Sequence, residues 1–154
     1  SLFGDGSISY IITEGGNCKI LDSMEHTWKD SLNLMGWGVE DDGLSVIFDK
    51  IIPEFITKKL PQVVNKFPLK DLDGYVLHSG GMKIIDAYKK IFNNDPTIEV
   101  SQKILSDYGN VSSVSVLLVL QEMIRKKSNG IFLMTALGPG FTAGMTSLKI
   151  CSND

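Results

Sequence analysis

Two side chains in this sequence are candidates for building a site, an imidazole and a carboxamide, and they lie far apart along it. His78 ends a short apolar run, Gly74-Tyr75-Val76-Leu77, and is followed by Ser79, Gly80, Gly81 and a helical pattern. The C-terminal end of a buried strand is where open α/β sheets usually bind ligands. An imidazole there can give or take a proton near neutral pH, and the glycines let a ligand or another backbone approach closely. The alternative is a histidine satisfied by a neighbouring carbonyl, and spacing does not separate the two. Asn110 lies in the stretch Ser106 to Leu120, SDYGNVSSVSVLLVL, ahead of a helix apolar on nearly every side from Val114 to Leu120. Such a helix belongs in the middle of a domain. The carboxamide of Asn110 suits an N-cap, accepting from backbone N–H groups two or three residues on. Statistics favour the cap over a catalytic group, so convergence with His78 is the open question.

Other candidates read as structure. Ser112, Ser113 and Ser115 are small packing residues near a helix start, and no serine has the G-x-S-x-G context of a hydrolase. Gly80-Gly81 could cradle a phosphate, but neither nucleotide-binding glycine pattern is present. Asp41 and Asp42 are turn residues, because nothing supplies a metal's remaining ligands. His26 is isolated on a β segment. Arg125 to Lys127 fits cations at a helix C-terminus. Neither Cys18 nor Cys151 has the sequence context of a reactive thiol.

The chain has 154 residues, 43% hydrophobic, with a formal net charge of -3. That is enough for one globular domain with a substantial core. The acidic balance argues against nucleic acid as the main partner. No apolar run approaches the roughly 18 residues of a membrane span, and there is no N-terminal signal pattern. Two cysteines far apart in sequence argue against a disulfide scaffold and for a reducing cytosol. The opening residues, SLFGDG, suggest a piece of a longer chain.

The elements that must position these residues follow in order. Ile8 to Ile12 is a β-type segment with partial alternation, and Lys19 to Trp28 is a weaker strand. Asn33 to Val39 and Leu44 to Phe48 flank Glu40-Asp41-Asp42-Gly43, a hairpin with a four-residue loop. Apolar residues from Ile52 to Phe67 recur at helical spacing, with Pro61 expected to kink or break the helix and Pro68 to close it. A strand at Gly74 to Leu77 leads to a helix with Met82, Ile85, Tyr88, Ile91 and Phe92 on one face. A further helix spans roughly Thr97 to Ser106. After the apolar helix come a strand from Ile131 to Ala136, a Gly138-Pro139-Gly140 turn and a strand from Phe141 to Ile150. The β-rich first half and the alternation in the second indicate an α/β layer fold whose last two strands are antiparallel neighbours.

Several stretches together resemble the C-terminal half of a type III polyketide synthase, the chalcone synthase-like family. They are LFGDG at Leu2 to Gly6, GLSVIFDKIIP at Gly43 to Pro53, HSGG at His78 to Gly81, LSDYGNVSS at Leu105 to Ser113, and GPG at Gly138 to Gly140. Their order and separations match over nearly the whole chain. The resemblance implies the second αβα half of a thiolase-like fold, spanning residues 1–154, with a mixed sheet around a buried central helix. It also implies an acyltransferase that condenses malonyl-CoA, by decarboxylation, with an acyl-CoA or acyl-carrier-protein starter. CoA thioesters would be substrates and no cofactor or metal would be needed. The partners implied are the N-terminal half of the same polypeptide and a second copy in a homodimer, and the setting is cytoplasmic. A fused, Steely-type parent is a further option.

The family's catalytic histidine and asparagine fall on His78 and Asn110; its cysteine nucleophile lies in the half that this chain lacks. An imidazolium beside a thiol stabilises the thiolate. Decarboxylation leaves an enolate whose oxygen needs donors already in place, and imidazole and carboxamide N–H groups supply them. Gly4, Gly6, Ser112 and Pro139 match positions that shape the site. Gly81 and Lys83 sit near the entry of the pantetheine arm. Trp37 and Val46 fall where the acyl cavity is lined or gated; a bulky Trp37 narrows it and a small Val46 opens it. The family usually has proline after the histidine, where this chain has Ser79, which loosens the turn. Two rivals remain: a ketoacyl synthase of fatty-acid initiation or elongation, and a non-catalytic scaffold that keeps the fold.

Overall fold

The computed structural model of the chain describes residues 3–68 and 71–151; Leu2, which opens the LFGDG stretch, lies outside them. The element order is β1 (Cys18–Thr27), β2 (Met35–Glu40), β3 (Gly43–Phe48), α1 (Ile52–Val64), β4 (Gly74–Leu77), α2 (Met82–Ile91), α3 (Ile98–Tyr108), α4 (Val114–Arg125), β5 (Gly130–Gly138) and β6 (Thr142–Ile150). A four-stranded mixed sheet runs in the order β1-β6-β5-β4. β4 and β5 are parallel, while β5 with β6 and β6 with β1 are antiparallel. The hairpin β2–β3 stands apart as a second sheet.

Alternation along the strands divides the core between the two faces of the sheet. Leu77 and Leu137 pack with Ile52, Ile56 and Leu60 of α1 and Ile85 and Tyr88 of α2. Their neighbours Val76 and Phe132 pack with Val116, Val119 and Met123 of α4 and with Val100 and Ile104 of α3. Helices thus cover both faces, an αβα sandwich. Each fully buried Leu, Ile or Val contributes about 1.5–3 kcal/mol. The apolar run of α4 is used on more than one side: Val116 and Val119 are buried, while Leu117, Leu118 and Leu120 are half-buried.

Three local expectations fail, for nonlocal reasons. Ile8 to Ile12 is not a strand: no partner lies beside it among the described residues, and Tyr10, Ile11 and Ile12 are exposed. Pro61 does not break α1, which runs through it to Val64. It sits in the last turn, and Ile56, Leu60 and Val63 hold that stretch in the core. The hairpin loop is shorter than its sequence suggested, since Glu40 pairs with Gly43 and leaves only Asp41 and Asp42 in the turn. Cys18 and Cys151 are neighbours in space: Cys18 pairs with Ile150, and the Cys151 N–H donates to the Asn17 carbonyl at 2.8 Å. Both thiols are free.

Candidate active site

His78 is the residue after β4, and its placement is fixed by the sheet. Its N–H donates to the Thr135 carbonyl of β5 at 3.0 Å, continuing the parallel ladder one step beyond Leu77. The chain then reverses at once, with the Gly80 N–H donating to the His78 carbonyl at 3.1 Å. This three-residue turn folds Gly80 beneath the imidazole. A Cβ on Gly80 would stand 3.2 Å from both Cδ2 and Nε2 of His78, so the ring needs glycine there. Gly81 follows with φ 151 and N-caps α2, its carbonyl accepting from Ile84 and Ile85 N–H at 3.0 Å.

Asn110 arrives at the same turn from the other side. Its Nδ2 donates to the Gly80 carbonyl at 3.1 Å, and its Oδ1 accepts from the Ser112 N–H at 2.9 Å. The structure therefore brings His78 and Asn110 together at Gly80, although neither sequence context pointed to the other. The cap reading needs correcting. Ser113 is the N-cap of α4, and Asn110 stands three residues before it in a side-chain turn of its own. The cause is Ser112, whose φ of 56 interrupts the approach to the helix. Ser115, read as packing, is fully buried and accepts from the Val111 N–H at 3.0 Å, which pins the loop to α4. A bond to a loop not yet folded leaves no mark on serine spacing.

The opening glycines brace this loop. Phe3 bridges to Asn110, and the Gly4 N–H donates to the Asn110 carbonyl at 3.1 Å. A Cβ on Gly4 would collide with the Tyr108 carbonyl, and one on Gly6 would press on the Val111 side chain at 3.2 Å. Glycine here serves close approach of two backbones.

The two groups differ in electrostatics. His78 retains 9% exposure, and burial pulls its pKa down to about 4, because a charged ring loses its hydration there. At neutral pH it is an uncharged imidazole with one N–H donor and one acceptor. Asn110 is 7% exposed, and its carboxamide has two N–H bonds. One holds Gly80, and the second remains for a ligand oxygen. The pair can present two neutral donors to a developing negative charge.

The remaining predicted residues spread outward. Ser112 is exposed beside Asn110, and Lys83 is exposed in the first turn of α2. Pro139 is exposed in the turn leaving β5, at the same end of the sheet as His78. Trp37 and Val46 are directly opposed across β2 and β3, 57% and 44% exposed. No hydrogen bond links that hairpin to the His78–Asn110 centre among the described residues.

This architecture is that of one half of a thiolase-like protein, and comparison with known proteins agrees. The family model for the 3-oxoacyl-[acyl-carrier-protein (ACP)] synthase III C terminal matches residues 64–150, and the chain belongs to that family. Over nearly its whole length it also resembles type III polyketide synthases. A provisionally named chalcone synthase of Bacillus subtilis (strain 168) is 33% identical over 93% of this chain and 45% of the relative. The 1,3,6,8-tetrahydroxynaphthalene synthase of Streptomyces peucetius subsp. caesius is 27% identical over 97% of this chain and 44% of that protein. The solved C-terminal type III polyketide synthase domain of Steely1, a type I/III hybrid from Dictyostelium, superposes with a TM-score of 0.77. It covers 87% of this chain and 40% of that one at 23% identity, a likeness of fold. The chain spans less than half the length of the curated relatives it matches.

Proposed function

We propose that these 154 residues are the second half of a type III polyketide synthase, in which His78 and Asn110 drive decarboxylation of a malonyl thioester. The observation that carries this reading is their meeting at Gly80. The rest of the polypeptide supplies a cysteine thiol, which takes the starter acyl group from its thioester. As the malonyl C–C bond breaks and CO2 leaves, the electron pair moves into an enolate. Its oxygen receives N–H bonds from the His78 ring and the Asn110 carboxamide. The enolate carbon then attacks the acyl thioester and expels the thiolate. The uncharged state of His78 suits the donor role, while a thiolate brought beside it would raise its pKa towards a thiolate–imidazolium pair.

The substrates are acyl-CoA or acyl-carrier-protein starters and malonyl-CoA, with Gly81 and Lys83 at the entry of the pantetheine arm. Ser112 and Pro139 border the site, and Trp37 and Val46 line the acyl cavity. No cofactor or metal takes part. The active form is a homodimer in the cytoplasm; among the described residues no helix is long and apolar enough to cross a membrane.

In the complete polypeptide, Asn110→Ala is expected to slow malonyl-CoA decarboxylation by about two to three decades, the worth of one oxyanion donor. Acyl loading on the cysteine should persist. Full decarboxylation in that variant removes the assignment. A second reading, a ketoacyl synthase, draws on the description of the matching family model. Products from acyl-CoA and malonyl-CoA separate the two: pyrones or resorcinols for the first, a single two-carbon extension for the second. A complete chain that forms no acyl adduct is neither.

A further inference from the structure

Where the pairing of β1 with β6 ends, one buried side chain takes it over. The register closes with Thr27 opposite Thr142, and one step beyond it the Trp28 N–H donates to the Phe141 carbonyl at 3.0 Å. The Phe141 N–H donates to the Ser31 hydroxyl at 2.7 Å. That hydroxyl donates in turn to the Trp28 carbonyl at 2.6 Å, so its hydrogen and a lone pair are both in use. Ser31 is 4% exposed. The Phe141 ring is fully buried, stacked on Trp28 and edge-on to Phe55, each with centroids 5.8 Å away.

These bonds lead to two segments at the His78 end of the sheet. Phe141 directly follows Gly138-Pro139-Gly140, the reversal after β5, and the Thr135 carbonyl of β5 holds the His78 N–H. On the other side, the Ser31 carbonyl accepts from the Leu34 N–H at 3.1 Å. The Leu34 carbonyl accepts from the Asp49 N–H at 2.8 Å, which closes the base of the β2–β3 hairpin. Leu34 and Met35 pack on the same apolar cluster as Phe141, Leu77 and Ile84. Ser31 therefore joins the hairpin that carries Trp37 and Val46 to the turn that carries Pro139. The sheet does not depend on it, because the register of β1 is complete by Thr27.

We propose that Ser31 is a positioning residue whose hydroxyl fixes the spacing between the β2–β3 hairpin and the Gly138–Gly140 turn, and through that spacing the number of two-carbon units the product acquires. The inference rests on the function proposed above. A growing acyl chain stops when the walls around it leave no room for another unit, so the walls' separation sets its length. A hydroxyl bonded in both directions between two backbones leaves that separation little play. Alanine in its place leaves the Phe141 N–H and the Trp28 carbonyl short of a partner in a buried setting. The simplest relief is for turn and hairpin to part and admit water, which changes the room beside them.

Two readouts on the complete polypeptide test this, with Ser31→Ala as the variant. Hydrogen exchange at the Phe141 amide should quicken about tenfold, the worth of one hydrogen bond. Incubated with an acyl-CoA and malonyl-CoA, the variant should shift the ratio of longer to shorter pyrones by about threefold or more. A merely structural loss lowers the total yield and leaves that ratio alone. Ser31→Thr, which keeps the hydroxyl, should restore both readouts. An unaltered amide rate in Ser31→Ala overturns the clamp. A faster amide with the wild-type product ratio overturns its control of length, and so does a ratio shifted equally in Ser31→Thr. If Ser31→Ala does not fold, Ser31→Cys, close in size and a weaker hydrogen-bonding group, gives the same comparison. Wild-type enzyme that makes no polyketide fails the functional reading and this role together, whereas an active enzyme with an indifferent product ratio fails the role alone.

Discussion

His78 is defined by what surrounds it more than by its own type. Its burial holds the pKa near 4, against about 6.5 for a free imidazole. An unfolded chain binds a proton between those values and the folded one does not, so stability falls as the pH drops from about 6.5 to 4. The shift corresponds to about 3 kcal/mol. Chemical denaturation of the chain at several pH values should show this loss, and His78→Gln should flatten the profile over that window. Gly80 is tested differently. The Cβ of Gly80→Ala would stand 3.2 Å from the ring, so ring and turn must part by a few tenths of an ångström. Decarboxylation by the complete enzyme is expected to fall about tenfold, with acyl loading intact.

At the scale of elements, the turn that ends β4 does the positioning. Ser79 is its central residue, fully buried, with a hydroxyl that has no partner among the described residues. Its φ is not among the positive values, so the Gly80-to-His78 bond makes this an inverse turn with φ near −75°, close to proline's own. Ser79→Pro would remove an unsatisfied buried hydroxyl and stiffen the unfolded chain. It should stabilise the protein by about 0.4–1 kcal/mol or more, visible as a rise in Tm. A fall would show that the serine N–H or hydroxyl is bonded. The helices around this turn obey their apolar spacing, and α1 shows its limit, since packing of Leu60 and Val63 carries the helix past Pro61.

For the whole molecule, one part of the exposed apolar surface lies on the β2–β3 hairpin. The register of β2 and β3 places Met35, Trp37, Val39, Leu44, Val46 and Phe48 on one face of the hairpin. Val39 and Leu44, a cross-strand pair, are 87% and 67% exposed. An apolar face of this kind is an association site. The 154-residue chain by itself should self-associate in sedimentation experiments. Val39→Lys combined with Leu44→Glu should reduce this, since the pair keeps an attractive cross-strand contact; unchanged association would place the sticky surface elsewhere.

The sequence by itself determined the order and kind of nearly every element, because apolar periodicity and turn chemistry act within a few residues. The helix from Ile52, the strand before His78, the Asp-Gly hairpin and the Gly138-Pro139-Gly140 reversal are all local events of this sort. The family signature in HSGG and LSDYGNVSS was legible for the same reason, and so were His78 and Asn110 as candidates. Only the tertiary structure decided that their side chains meet at Gly80, that Asn110 stands outside its helix, and that Cys18 lies beside the strand leading to Cys151. It also left Ile8 to Ile12 without a strand partner among the described residues. Those outcomes depend on which distant backbone arrives alongside, and a donor, an acceptor or a sheet edge supplied from elsewhere leaves no trace in neighbouring residues.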